Sequence, residues 1–242
     1  MTYCVGLRLN KGLVLMSDTR TNSGIDSISV FRKMFTWDLP GDRVITVMTA
    51  GNLATTQSVI SLLNERCKIP EERNPSILEA PTLFQVAGIV SKTLLEVIQE
   101  RINAGQNAGM FGATLIVAGQ IKGTDPQLFM VYPEGNFIEA TDDTPFFQIG
   151  ETKYGKPILV RAYDPDMSFE DAIKLLVLSF DATLKANLSV GFPLDLQVIA
   201  RDELEVHTED RLDAQHPYIS AVSEGWKDAL RDAFQTLPKF EL

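Results

Sequence analysis

Two cysteines, Cys4 and Cys67, are too few to staple a chain of 242 residues, so a disulfide framework is excluded. No CxxC spacing or adjacent histidine marks them as metal ligands or nucleophiles, and both are expected as reduced thiols of a cytoplasmic protein. Histidine is equally scarce: His207 and His216 lie in the C-terminal quarter, outside any motif, and read as surface or loop residues. Neither a metal site nor an organic cofactor is implied, and no GxGxxG or P-loop occurs. Basic residues are also few, 22 against 32 acidic ones for a net charge of −10, which argues against a nucleic-acid partner. No apolar run is long enough to span a bilayer. Arg8 and Lys11 interrupt the first apolar stretch before a secretory segment could form. No internal repeat or low-complexity segment is present.

What remains can fill a core, with 45% hydrophobic and 22% charged residues. The chain reads as a single domain over 1–242 with a C-terminal helical extension from about residue 218. Tyr3, Val5 and Leu7 alternate with Cys4 and Gly6 as in a strand. Asn10-Lys11-Gly12 is a turn signal, so 2–9 and 13–18 should form a hairpin. Leu13–Ser17 is apolar almost throughout and expected to be buried on both faces. Extended structure resumes at Phe31–Phe35, and a further strand runs from Arg43 to Thr49.

The period then changes. Leu53–Cys67 reads as a helix, and a second, opened by the capping box Thr82 and Gln85, runs to about Ala104. A glycine-rich loop, 105–112, leads into strands at 113–120, 127–132, 137–140 and 146–149. A helix begins at Ser168, a strand covers 194–201, and a polar linker over 202–217 precedes a last helix over 219–237. Trp226, Leu230 and Phe234 recur there at i, i+4 and i+8, read as ordinary core packing with a docking element as the alternative. Segregated blocks of strands and helices point to an α+β sandwich: two stacked antiparallel sheets with helices on the outer faces.

Thr2 is the residue with chemical promise. Removing Met1 would leave it as the amino terminus, with a free α-amine beside its own hydroxyl. Such an amine titrates near neutrality and can serve as the base. The hydroxyl also needs a positive charge nearby, a carboxylate to orient that charge, and N–H donors for an oxyanion. Taken singly, Asp18 is a strand-end turn residue, Lys33 a solvated strand charge and Gly51 a spacer before a helix.

Their order is what carries meaning. Thr2 opening a strand is followed by Ser17-Asp18-Thr19-Arg20-Thr21-Asn22-Ser23-Gly24, then by Phe31-Arg32-Lys33-Met34, then by Met48-Thr49-Ala50-Gly51 before a helix. This arrangement resembles the proteasome β-subunit and, more narrowly, the ancestral β-subunit (Anbu) family of bacterial proteasome-type proteases. The narrower likeness rests on the Met1–Gly6 start, on Ile149-Gly150-Glu151-Thr152-Lys153-Tyr154-Gly155-Lys156-Pro157, on Ser189-Val190-Gly191-Phe192-Pro193-Leu194-Asp195, and on Glu224-Gly225-Trp226.

The resemblance implies the four-layer αββα fold of N-terminal nucleophile hydrolases, in agreement with the block order. It implies Thr2 as nucleophile with its freed amine as base, Lys33 as the positive charge beside the hydroxyl, Asp18 as its partner, and the Gly51 N–H as oxyanion donor. Ser189 aligns with the serine of an Asp-x-x-Ser-Gly segment that supports the terminal amine. Thr21 and Asn22 fall where an extended peptide is laid by strand addition, and Leu53 where a specificity pocket is lined. The substrate implied is a peptide or unfolded polypeptide, and the assembly a homo-oligomer, closed ring or open helical one. Two departures stand out: Glu151 stands near the position of a serine that the family places shortly after the glycine matching Gly150, and Ala186, with Asn187 adjacent, aligns with the family's aspartate. With no long propeptide before Thr2, exposure of the nucleophile rests on methionine removal. A self-assembling scaffold with a vestigial site, and an amidohydrolase acting on a small amide, are the competing readings.

Overall fold

The computed structural model describes residues 2–22, 28–68, 75–103, 105 and 108–241. Met1, Ser23 and Gly24 therefore lie outside the described residues, as do the middle of the 68–81 connection and parts of the 105–112 loop.

The expected hairpin is formed by β1 (Tyr3–Leu9) and β2 (Gly12–Asp18), and all seven residues of β2 are buried. A short ribbon, β3 (Arg20–Asn22) with β4 (Ile28–Val30), comes after it. Next are β5 (Met34–Leu39), β6 (Arg43–Gly51) and the helices α1 (Leu53–Lys68) and α2 (Leu83–Asn103). The chain continues through β7 (Ala113–Ile121), β8 (Gln127–Val131), β9 (Phe137–Glu139) and β10 (Phe146–Gly150). It closes with α3 (Lys156–Ala162), α4 (Phe169–Ala186), β11 (Leu194–Ala200), β12 (Thr208–Leu212) and α5 (Pro217–Thr236). Two five-stranded sheets result, in the orders β10-β1-β2-β11-β12 and β5-β6-β7-β8-β9, with antiparallel pairing throughout.

Period-two alternation sorts side chains into three cores and hence four layers. Ile45, Val47, Leu115 and Val117 pack against Val59, Leu63, Val86 and Val90 of α1 and α2. Their neighbours Val44, Met48, Ile116 and Ala118 turn the other way, meeting Cys4, Leu13 and Leu15 between the sheets. On the far side Tyr3, Val5, Val14 and Met16 pack against Leu176 and Phe180 of α4. This is the αββα sandwich expected from the block order.

Three details depart from expectation. The polar linker contains β12, an edge strand whose residues are exposed except Leu212, so it carries no alternation to detect. Helix α3 is a short element of about two turns with Leu159 as its sole buried residue, too brief for a periodic signal. The last helix is not core packing along its length: Ile219 is buried, but Leu230 and Phe234 are 49% and 72% exposed because the helix runs past the end of the surface it docks on.

Between the sheets, Ser17 is fully buried and its hydroxyl is the one buried side-chain polar atom among the described residues without a hydrogen-bond partner. Since an unsatisfied buried hydroxyl costs about 1–3 kcal/mol, Ser17→Ala is expected to raise the thermal midpoint. A lowered midpoint would show that the hydroxyl is satisfied in solution.

Candidate active site

Thr2 enters β1 against the end of β10. The ladder pairs Tyr3 with Gly150, and one step further the Glu151 N–H donates to the Thr2 carbonyl at 2.6 Å. Gly150 has φ of 83°, and a Cβ there would run into the Thr2 carbonyl oxygen and lie 2.7 Å from its carbon. Only a glycine lets the two chains approach this closely.

Asp18 ends β2 with its side chain fully buried, and Lys33, 5% exposed at the side chain, precedes β5. Lys33 Nζ donates to Asp18 Oδ1 at 2.7 Å and to the Arg20 carbonyl at 2.6 Å. Asp18 also accepts from the Tyr3 N–H at 2.9 Å and the Gly191 N–H at 3.3 Å. Burial pushes the Asp18 carboxyl up, while the Lys33 ammonium and these donors pull it back. The Arg20 guanidinium in turn donates to the Leu188 carbonyl at 3.0 Å, tying the loop after α4 to the same segment.

Thr2, Thr21, Lys33, Gly51 and Leu53 line one cavity of about 330 Å³, together with Thr49, Ala50, Thr56 and Gly150. Gly51 closes β6, and Asn52 caps α1 by accepting from the Thr55 N–H at 3.0 Å. The positive end of the helix dipole thus sits at the cavity mouth. Asn22 belongs to β3, but its side chain lies outside the described residues. Ser189 does not reach the cavity; its N–H donates to Asn187 Oδ1 at 2.9 Å. Ala186 is exposed. It is Asn187, one residue on, that reaches Glu151, donating from Nδ2 to Oε2 at 2.9 Å. Sequence reading does not single out Gly150, Asn187 or Gly191 as site residues; for the glycines, their place at strand and loop ends is the available signal.

Tyr3 anchors this corner from behind. Its hydroxyl shares a hydrogen bond with Ser179 Oγ at 2.6 Å and accepts one from Gln148 Nε2 at 2.6 Å, and burial raises its pKa to about 12. With the folded pKa above the unfolded one, the stability is intact below the unfolded value and lost as pH rises through the folded value. Between those limits the unfolded chain ionises first, so stability should fall by roughly 1.4 kcal/mol per pH unit from this group. Urea midpoints measured across alkaline pH should show a shallower decline in Tyr3→Phe; an identical decline would remove Tyr3 as the cause.

Comparison with known proteins gives the family of the chain. The proteasome-subunit family profile matches residues 2–199. An Anbu (ancestral β-subunit) structure from Yersinia bercovieri is 43% identical, with a TM-score of 0.93 over 99% of this chain and 100% of that one. The helical assembly of the Anbu complex from Pseudomonas aeruginosa is 43% identical, with a TM-score of 0.91 over 99% of this chain and 98% of its own. The chain belongs to the Anbu branch of the proteasome-subunit family. Among curated relatives, a proteasome β-subunit from Methanopyrus kandleri is 26% identical over 206 residues, 84% of this chain and 88% of the relative. The fold is accordingly that of the N-terminal nucleophile hydrolases. The profile stops before β12 and α5, whereas the Anbu structures cover that C-terminal region too. No helix among the described residues is long and apolar enough to cross a membrane.

Proposed function

We propose that the chain is a proteasome-type threonine peptidase that cleaves peptide bonds through an acyl-enzyme on Thr2 once Met1 is removed. The observation that carries this reading is the buried Lys33–Asp18 pair opening onto the cavity that Thr2 lines. A pair so far from water is costly to build, and beside a hydroxyl it has a chemical use.

In the proposed reaction the Thr2 hydroxyl attacks the substrate carbonyl carbon while the Thr2 α-amine takes the hydroxyl proton. Lys33 favours the oxygen as negative charge builds on it, and Asp18 holds Lys33 in place. The Gly51 N–H donates to the oxyanion. Collapse expels the amine product, which takes the proton back from the Thr2 ammonium, leaving an ester on Thr2 Oγ. Water, deprotonated by the same amine, attacks the ester; the acid departs and Thr2 Oγ is reprotonated. Ser189 serves this scheme through the Asn187–Glu151 chain rather than by touching substrate. Thr21 and Asn22 of β3 offer an extended edge for the peptide. Leu53, with Ala50, favours an apolar side chain beside the scissile bond.

The experiment is an intact-mass measurement followed by a threonine-directed β-lactone. Loss of Met1 and one adduct on Thr2, absent in Thr2→Ala, are expected. Met1 fully retained in cells, or processed protein that takes no label, would sink the peptidase. Peptide and small-amide panels then separate a peptidase from an amidohydrolase. The exposed apolar Leu230 and Phe234 favour a homo-oligomer, and the helical assembly of the Pseudomonas aeruginosa Anbu complex points to an open helical one. Assembly intact in unlabelled protein would instead support a scaffold with a vestigial site.

A further inference from the structure

Glu151 is 6% exposed, and its carboxylate is held by two neutral donors: Asn187 Nδ2 at 2.9 Å and the Lys153 N–H at 3.0 Å. None of the ion pairs among the described residues includes it, so its charge lacks a cation where burial makes one valuable. Its own N–H bonds the Thr2 carbonyl at 2.6 Å, one ladder step beyond the Tyr3–Gly150 pair.

Taking the terminal Thr2 of the peptidase reading as given, we propose that Glu151 is the counter-ion and positioning residue of the Thr2 α-amine, with Asn187 holding the carboxylate in place. The other groups around that amine do not supply the charge. Lys33 on the cavity wall and Asp18 at the end of β2 form a pair of zero net charge. Tyr3 and Cys4 on β1 are held neutral by burial, which pushes both groups up. The Arg20 guanidinium is turned to the Leu188 carbonyl, and Lys153 is exposed. Glu151 is thus the buried carboxylate without a cation on the residue whose backbone bonds Thr2.

A carboxylate beside an amine favours the ammonium and raises its pKa. The amine accepts a proton from the Thr2 hydroxyl only when neutral, so Glu151 moves the working range of the site toward alkaline pH and keeps the resting amine protonated and anchored.

The test needs neither turnover nor methionine removal in the cell. The full chain is made as a ubiquitin fusion and cut to leave Thr2 as the terminus. The amine pKa is then read by competitive acetylation with acetic anhydride across neutral to alkaline pH, following the N-terminal peptide by mass. Glu151→Gln should lower that pKa by about one unit or more. Asn187→Ala, which keeps the carboxylate but frees it, should shift the pKa in the same direction by less, and it carries the test if Glu151→Gln does not fold. An unchanged pKa in the folded variants overturns the proposal. A shifted pKa in protein whose Thr2 takes no β-lactone would uphold it and overturn the peptidase alone.

Discussion

Lys33→Ala is expected to lower the unfolding free energy by about 3–5 kcal/mol, because it strands a buried charge. Asp18 would retain the Tyr3 and Gly191 N–H donors at 2.9 and 3.3 Å but lose the ammonium at 2.7 Å. The Arg20 carbonyl would lose its donor as well. The double variant Lys33→Met with Asp18→Asn should recover much of the loss, since asparagine still accepts hydrogen bonds through its carbonyl and brings no charge inside. A double-mutant cycle in urea measures the coupling. The pH dependence provides a second signature. Without Lys33, burial raises the Asp18 pKa unopposed by its main counter-charge, so the folded state binds a proton that the unfolded state has released. Stability of Lys33→Ala should therefore climb as the pH falls from neutral toward the ordinary aspartate range. A single variant as stable as the double one would mean that the pair contributes nothing as a pair.

Gly150→Ala is expected to slow labelling of Thr2 by about a hundredfold or more, the scale on which ångström displacements act in a reaction site. Its added methyl meets the Thr2 carbonyl and comes within 3.2 Å of the Thr2 Cβ, so Thr2 must move. The positive φ adds a backbone cost of about 1–3 kcal/mol. Gly41, in the Pro40-Gly41 turn with φ of 77°, supplies the control, because nothing lies within 4 Å of a Cβ built there. Gly41→Ala carries the same backbone cost and no collision, so the difference between the two variants isolates the contact with Thr2. Equal labelling rates for both would show that Thr2 tolerates displacement.

Much of the candidate site was legible because its proposed members end regular elements. Asp18 stands where an apolar run stops, Gly51 where a strand gives way to a helix, and Lys33 beside a turn into the next strand. The residues that escaped sequence reading touch Thr2 or its neighbours across long loops. Asn187 meets Glu151 from 36 positions away, and only packing of α4 against the first sheet decides that residue 187, not 186, points inward. The C-terminal helix shows the same limit: its i, i+4 stripe is real, but periodicity does not reveal where the partner surface ends.

By itself the sequence determined the features set by local spacing: strands of period two, helices of period 3.6, the block order of the sandwich, and the order of Thr2, Asp18, Lys33 and Gly51. Alternation and helical periodicity are properties of neighbouring residues, so they are written directly into the chain. The tertiary structure alone decided that Gly150 lies against Thr2, that Glu151 is buried beside it with Asn187, and that Leu230 and Phe234 are left uncovered. These are contacts between elements brought together by stacking and register, and such contacts depend on how the two five-stranded sheets and the helices outside them pack around three cores.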